Sequence, residues 1–325
     1  MEQYCIGVDL GGTNIKAAAF SAGNLECVCE NRLPTEAARG SEHVLMQIFR
    51  AVQALFAQIP KSQTLCIGLG IPGLLDIETG ISHFSPNFPN WENVPVSDWL
   101  HQKTNLPVFI DNDVRVNLYG EWYYGAGKGK NNIVLLTLGT GLGSGIVMDG
   151  HVLYGATASA GEIGHMNMYR TGRPCKCGSS GCLGRYVSAR GMLRTLQEKL
   201  HDGAPSIIRE WTGSDPEKAT AKMVSDAYDA GDQTAIEVMT QTGELLGYGL
   251  ANVINLFNPE VIIIGGGMSA AGERLLRPAR QIVKCHALEI SRQSCEIVTA
   301  QLGDAAGMLG AAIYAKKRLQ TGKRL

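Results

Sequence analysis

An α/β protein of two lobes is expected from this chain, on three observations. It has 325 residues, 45% of them hydrophobic, which is enough for two packed cores. Each half opens on a strand, a glycine-rich turn and a returning strand, a weak internal repeat of pattern rather than identity. Its forty glycines gather beside short apolar runs, as they do where α/β loops receive phosphates.

Residues 4–10 form an apolar run that meets Gly11-Gly12-Thr13 and returns over residues 15–20, a hairpin. Residues 25–29 read as a third strand. Over 41–59 the residues Val44, Leu45, Ile48, Val52, Leu55, Phe56 and Ile59 recur at helical spacing, and Pro60 ends the run. A strand over 64–69 precedes Pro72-Gly73. Another over 108–110 runs into Asp111-Asn112-Asp113, whose side chains suit the cap of a helix reaching Tyr124. The pattern restarts with a strand over 133–138, the turn Gly139-Thr140-Gly141-Leu142-Gly143 and a strand over 145–148. Helices are expected over 235–257, 270–287 and 305–319, and a buried strand over 260–264. Segment 201–217, with Gly203, Pro205, Gly213 and Pro216, has no period and reads as a surface excursion. The lobes are expected at 1–111 and 112–304. The last helix, 305–325, is expected to rejoin the first lobe, a return that spacing alone does not show.

Composition narrows the partners. The 29 basic and 30 acidic residues leave a formal charge of -1, without the basic excess of a surface that grips phosphate backbones, so nucleic acid is not expected. Nine cysteines, an odd number in a chain with a sizeable core, fit a reducing compartment better than a disulfide scaffold. Met1 leads straight into Tyr4-Cys5-Ile6 without signal-peptide features, and no apolar run is long enough to span a membrane. A cytoplasmic protein with no membrane partner is expected.

Four groups of residues carry candidate chemistry. Asp9-Leu10-Gly11-Gly12-Thr13-Asn14 sets a carboxylate at a strand end beside glycines that let backbone N–H groups approach an anion. Gly139-Thr140-Gly141 repeats the device. A tight hairpin needs glycine anyway, so one such turn is weak and two in two lobes are stronger. Gly265-Gly266-Gly267 follows a buried strand and precedes a helix, where a nucleotide rests or where an ordinary connection runs. Asn112-Asp113 is either a helix cap or the position of a carboxylate that accepts a hydroxyl proton. His165, Cys175, Cys177 and Cys182 spell H-x9-C-x-C-x4-C in a glycine-rich loop, a donor set for tetrahedral structural zinc with no open position for catalysis. By contrast Cys27 and Cys29, two apart on one strand face, read as half-buried packing. Trp91, Trp99 and Trp122 read as packing too. No Ser-His-Asp order or glycosidase-like carboxylate pair stands out.

Asp9-Leu10-Gly11-Gly12-Thr13, Asn112-Asp113, Leu138-Gly139-Thr140-Gly141, Gly161-Glu162-Ile163-Gly164-His165 and Cys175-x-Cys177-Gly178-x-x-Gly181-Cys182 together resemble the ROK family of sugar kinases and repressors, from Tyr4 to about Leu319. The cysteine loop is specific, whereas the glycine turns are shared with the wider actin-like ATPases. The resemblance implies a two-lobed actin-like ATPase (ribonuclease H-like) fold with the zinc-binding loop, 165–182, in the second lobe. It implies ATP and sugar meeting in the cleft, and a homodimer or larger homo-oligomer.

It further implies that Asp113 is the base for a sugar 6-hydroxyl, that Asn112 holds neighbouring hydroxyls, and that Glu162 and His165 also contact the sugar. Asn87 in Ser85-Pro86-Asn87-Phe88 and Gly73 resemble sugar-side loops. Asp9, Gly11, Gly12, Thr13 and Asn14, with Gly139, Thr140 and Gly141, would face the ATP phosphates and Mg2+. Gly266 and Gly267 would lie near the nucleoside. His165 could bind Zn2+ through one ring nitrogen and the sugar through the other.

The implied activity is an ATP:hexose 6-phosphotransferase with glucose as the default. N-acetylmannosamine, N-acetylglucosamine, fructose and allose remain alternatives, as does a sensor that binds sugar without phosphorylating it. A repressor would carry an added DNA-binding domain, for which the start of the first strand leaves no room. Two positions depart from the family pattern: Gly184, where a Glu is usual two residues after the last cysteine, and Arg115, where a small residue is usual.

Overall fold

A computed structural model describes residues 2–85 and 87–322. Pro86, in the expected sugar-side loop, lies outside the described residues, as do Met1 and the last three residues of the expected final helix segment. The chain divides into two compact units, Met1–Gly129 with His151–Ala160 and Gln301–Leu325, and Lys130–Gly150 with Gly161–Ala300.

In the first unit five strands lie in the order Cys27–Pro34, Asn14–Ser21, Tyr4–Leu10, Thr64–Ile71 and Val108–Asn112. The first three are antiparallel neighbours, and the last two join in parallel. Ile6, Val8, Leu10, Ile67 and Leu69 are fully buried, which is why these strands read as continuous apolar runs. The final helix, Ala305–Thr321, lies directly on this sheet, because a Cβ at Gly68 would stand only 2.0 Å from the carbonyl oxygen of Ala311. It also packs tightly on the helix Asp113–Tyr124, where a Cβ at Gly310 would meet the carbonyl of Val116 at 1.7 Å. That packing keeps Asp113–Tyr124 in the first unit, which runs on to Gly129 rather than stopping near Asp111.

Three short strands, Leu74–Asp76, Ile81–Phe84 and Glu92–Val94, make a small sheet that no sequence pattern announced. Trp91 is buried beside it and donates to Ser82 Oγ at 2.8 Å. The register slips between Ala19 and Phe20, which pair with Cys29 and Cys27 respectively. Strict alternation is therefore broken, and the two cysteines differ, Cys27 exposed and Cys29 buried, instead of sharing a half-buried face.

The second unit repeats the scheme, with strands in the order Leu142–Met148, Ile133–Leu138, Val261–Gly265 and Glu296–Thr299. The first pair is antiparallel and the other two are parallel. The long helix Gln233–Phe257 starts where Asp232 accepts from the Ala235 N–H at 2.8 Å. Gly272, with φ at 55°, breaks the helix expected over 270–287 into a 3-10 turn, Gly267–Ala271, and the helix Glu273–His286. Helix Ala189–His201 was not anticipated, although Ser188 accepts from the Gly191 N–H and Met192, Leu196 and Leu200 are buried at four-residue spacing. No helix among the described residues is long and apolar enough to cross a membrane.

Candidate active site

In the first unit the turn after Tyr4–Leu10 closes through the Gly11 N–H donating to the Asn14 carbonyl at 3.0 Å. Thr35, fully buried, buttresses it: its hydroxyl donates to the Gly11 carbonyl at 2.7 Å and its N–H to the Thr13 carbonyl at 2.9 Å. Thr35 was missed because its partners lie more than twenty residues away in sequence. Gly12 and Thr13 are exposed at the tip, and a Cβ on Gly12 would stand 3.6 Å from Asn87 Cβ, so the turn faces the Asn87 loop.

Asp9 sits behind this turn against the final helix, where a Cβ at Gly307 would approach its carboxyl carbon to 2.7 Å. Burial pushes the Asp9 carboxyl up to about 6, against the pull of Lys16, which itself pairs with Asp304 at 2.8 Å.

Asn112 ends a strand and caps the helix that Asp113 begins, its side chain accepting from the Val114 N–H at 2.9 Å. Its amide also donates to the Gly73 carbonyl at 3.3 Å, which brings two of the expected sugar-side residues together. The capping reading of Asn112 is thus correct without excluding a further role. Burial, and after it the charge of Asp9, pushes the Asp113 carboxyl up to about 6. A carboxylate that gains a proton near pH 6 is tuned toward neutral-pH proton transfer.

Arg115 points inward. Its Nε donates to Asp111 Oδ1 at 2.6 Å, its Nη1 to the Ala158 carbonyl at 2.9 Å, and its guanidinium lies 5.0 Å from the Tyr154 ring centroid. Tyr154 donates to the other Asp111 oxygen at 2.6 Å. Burial opposes the Arg115 charge, but the Asp111 carboxylate holds its pKa above the ordinary value. The departure at position 115 is therefore a buried ion pair that locks the base of helix Asp113–Tyr124 to the loop His151–Ala160.

In the second unit Gly139 donates to the Gly141 carbonyl at 2.9 Å and accepts from the Ala189 N–H at 2.9 Å. The helix Ala189–His201 thus starts against the turn. Gly139, Thr140, Ala189, Met192, Gly267 and Ala270 share one cavity of ≈ 710 Å³, large enough for a nucleoside, and Gly141 and Gly266 are outside its lining. Gly266 has φ at 79° and lies so close to the turn that a Cβ would meet the Leu138 carbonyl at 2.5 Å. The second turn and the third glycine cluster are therefore one structure.

His165, Cys175, Cys177 and Cys182 put their four donor atoms within 4.8 Å of one another. Cys175 Sγ lies 3.7 Å from His165 Nδ1, and Cys177 Sγ 3.7 Å from Cys182 Sγ. Ligands about 2.3 Å (sulfur) and 2.0 Å (nitrogen) from a tetrahedral zinc are themselves about 3.5–3.8 Å apart, which these two separations match. The Ser179 N–H draws the exposed Cys177 thiol down to about 7, whereas burial pushes Cys182 up to about 12. His165 presents Nδ1 to the cysteines, leaving Nε2 available. Glu162 is exposed one turn before it, and its carbonyl accepts the His165 N–H at 3.0 Å.

Residues 5–318 match the sequence model of the ROK family. The chain is 38% identical over 316 residues to a glucokinase of Thermotoga maritima, spanning 97% of this chain and 98% of that enzyme. Its fold superposes with a TM-score of 0.82 on a ROK family glucokinase of Streptomyces griseus solved with glucose and AMPPNP, at 30% identity over 97% of this chain and 99% of the other. A ROK family transcriptional regulator homologous to the E. coli MLC protein gives a TM-score of 0.85 at 29% identity, over 98% of this chain and 78% of the regulator.

Proposed function

The chain belongs to the ROK family, and from that premise we propose that it is an ATP-dependent hexose kinase that transfers the γ-phosphate to the 6-hydroxyl of glucose. The observation that carries the reading is the pairing of Asp113 with Asp9 in one unit, each carboxyl pushed up to about 6, beside a glycine turn whose Gly12 and Thr13 are exposed. Identity to glucokinases along nearly the whole chain supports glucose over N-acetylated hexoses, fructose or allose.

Asp113 accepts the hydroxyl proton as the oxygen attacks phosphorus, and Asn112, fixed by Val114 and Gly73, orients the neighbouring hydroxyls. In the first unit Gly12, Thr13 and Asn14 would face phosphate, and in the second Thr140 and Gly141 would, while the Gly11 and Gly139 N–H groups close their own turns. Magnesium, bound with ATP, would neutralise charge on the phosphates, and Asp9 is the carboxylate we assign to hold it. The ≈ 710 Å³ cavity would take the nucleoside, with Gly267 in its lining and Gly266 the residue before it. The donor set suits a structural zinc on His165, Cys175, Cys177 and Cys182, which would fix the loop that presents Glu162 and His165 to the sugar.

Leu256, Leu288 and Ile290 are exposed apolar residues, with Asn255 accepting the Leu288 N–H at 2.8 Å, and support a homodimer or larger assembly. Light scattering reads that state. The kinase reading is tested by ATP consumption over glucose, N-acetylmannosamine, N-acetylglucosamine, fructose and allose. Turnover highest on glucose is expected; turnover on none, with sugar still bound, would leave the sensor suggested by Gly184.

A further inference from the structure

We propose that Arg173 is a positioning residue through which the metal loop sets the geometry of the nucleotide pocket, an inference that rests on reading the ≈ 710 Å³ cavity as the nucleotide's. Arg173 belongs to the cysteine loop by its backbone, since its carbonyl accepts from the Gly181 N–H at 3.0 Å. By its side chain it belongs to the helix Ala189–His201. Nη1 donates to the Arg185 and Gly191 carbonyls at 3.1 and 2.9 Å, and Nη2 to Thr195 Oγ1 and Glu198 Oε2 at 2.9 and 2.6 Å. The guanidinium also lies 4.8 Å from the Tyr186 ring centroid, while the Tyr186 hydroxyl accepts the Arg173 N–H at 2.8 Å.

The residues so held touch the pocket. Ala189 and Met192, on either side of Gly191, line the cavity, and the Ala189 N–H fixes the Gly139 carbonyl of the phosphate-facing turn. From the other end, Cys182 leads through the short helix Gly184–Val187 to Ser188, which caps Ala189–His201 and donates to the Gly184 carbonyl at 2.6 Å. Loop and helix are thus joined twice, once through the chain and once through the Arg173 fork, and a planar guanidinium with several fixed donors suits this in a way a flexible ammonium does not. A loop whose only task was to present Glu162 and His165 would not need the second joint.

The test compares binding of ATP and of glucose by titration calorimetry on the zinc-loaded chain, with zinc content and Tm measured on each variant. Arg173→Ala should weaken ATP binding about three- to thirtyfold, leave glucose binding within about twofold, and keep the metal, with Arg173→Lys giving incomplete recovery and millimolar guanidinium restoring part of the ATP affinity. Ala270→Trp, an exposed position in the same cavity, should weaken ATP binding by filling it. If Ala270→Trp leaves ATP binding intact, the cavity is not the nucleotide's and the inference falls with that reading. If Ala270→Trp weakens ATP binding and Arg173→Ala does not, or if Arg173→Ala weakens ATP and glucose equally while lowering Tm, the coupling is overturned and the reading of the cavity stands. Should Arg173→Ala fail to fold, Thr195→Val with Glu198→Leu removes two of the helix-side acceptors and must give the same ATP-selective loss, smaller in size.

Discussion

The two glycine turns share a backbone and differ in what stands behind them. Two residues before Gly11 the first has Asp9, a carboxylate pressed against the final helix; two residues before Gly139 the second has Thr137, which carries no charge. The first turn is backed by a second carboxylate, Asp113, while the second opens on a cavity of ≈ 710 Å³. One strand-turn-strand device is thus set in two surroundings, buried carboxylates in the first unit and an open cavity in the second. The side chain before the turn and the glycines packed beneath it decide which.

The largest expected effect is at the charged end. Asp113→Asn keeps a hydrogen-bonding side chain but cannot take the hydroxyl proton, so kcat should fall by ~10²- to 10⁴-fold with glucose binding nearly unchanged. Turnover close to that of the native chain would reduce Asp113 to a helix residue. The same change should stabilise the unliganded protein at neutral pH. With its pKa raised from 3.8 to about 6, Asp113 binds more protons folded than unfolded between those values, so its contribution to stability falls as pH rises through that window and stays unfavourable above it. The neutral amide escapes that cost, and a gain of ~1 kcal/mol would appear as a Tm higher by ~2–4 °C.

The charge coupling gives the next test. Activity should fall as pH is lowered through about 6, where Asp113 takes up its proton in the free protein. Asp9→Asn removes the neighbouring charge that helps raise that pKa, so the residual activity should keep its acid limb at lower pH. An unshifted limb would mean that the two carboxylates do not sense each other.

Two glycine substitutions then separate the ends. Gly307→Ala drives a methyl into the Asp9 carboxyl and should raise the magnesium requirement about tenfold with little change in nucleoside affinity. Gly266→Ala forces a φ of 79° on a residue with a Cβ aimed at the Leu138 carbonyl, and should raise KM for ATP with little change in the magnesium requirement. Identical profiles for the two variants would erase the distinction between the turns.

What was legible in the sequence was local. The turns and the Asn112 cap lie within a few residues, and the metal loop within 165–182, so spacing states them. The helix Ala189–His201 was legible too, through Ser188 and the Met192, Leu196, Leu200 spacing. Thr35, Arg115 and Arg173 were not, because each acts on partners placed by the fold: Arg115 on a carbonyl 43 positions away, Arg173 on a helix 18 to 25 positions on. Gly68 and Gly310 look like ordinary strand and helix glycines until the final helix is laid on the first sheet. Charge and cavity, the two properties that separate the turns, arise from such distant pairings.

The smallest effect is expected at Gly184, where the family pattern would put a Glu. Gly184 opens the helix Gly184–Val187, and a Cβ there would stand 3.3 Å from the Gly164 carbonyl oxygen and 3.4 Å from Leu142 Cβ. Both contacts are tight, so any side chain requires its neighbours to give by a few tenths of an ångström, at a cost of ~1 kcal/mol or more. Gly164 lies next to His165, so a carboxylate at 184 would emerge beside an expected sugar contact, where a charge-assisted hydrogen bond contributes ~1.5–3 kcal/mol. The two effects oppose each other, and Gly184→Ala measures the first alone. Relative to Gly184→Ala, Gly184→Glu should raise kcat/KM for glucose about tenfold, while relative to the native chain the gain should be about threefold or less. A Gly184→Glu chain that melts like Gly184→Ala but is no better a catalyst would show that no sugar hydroxyl waits at that position, and that the Gly164 turn has closed over the space the carboxylate would need.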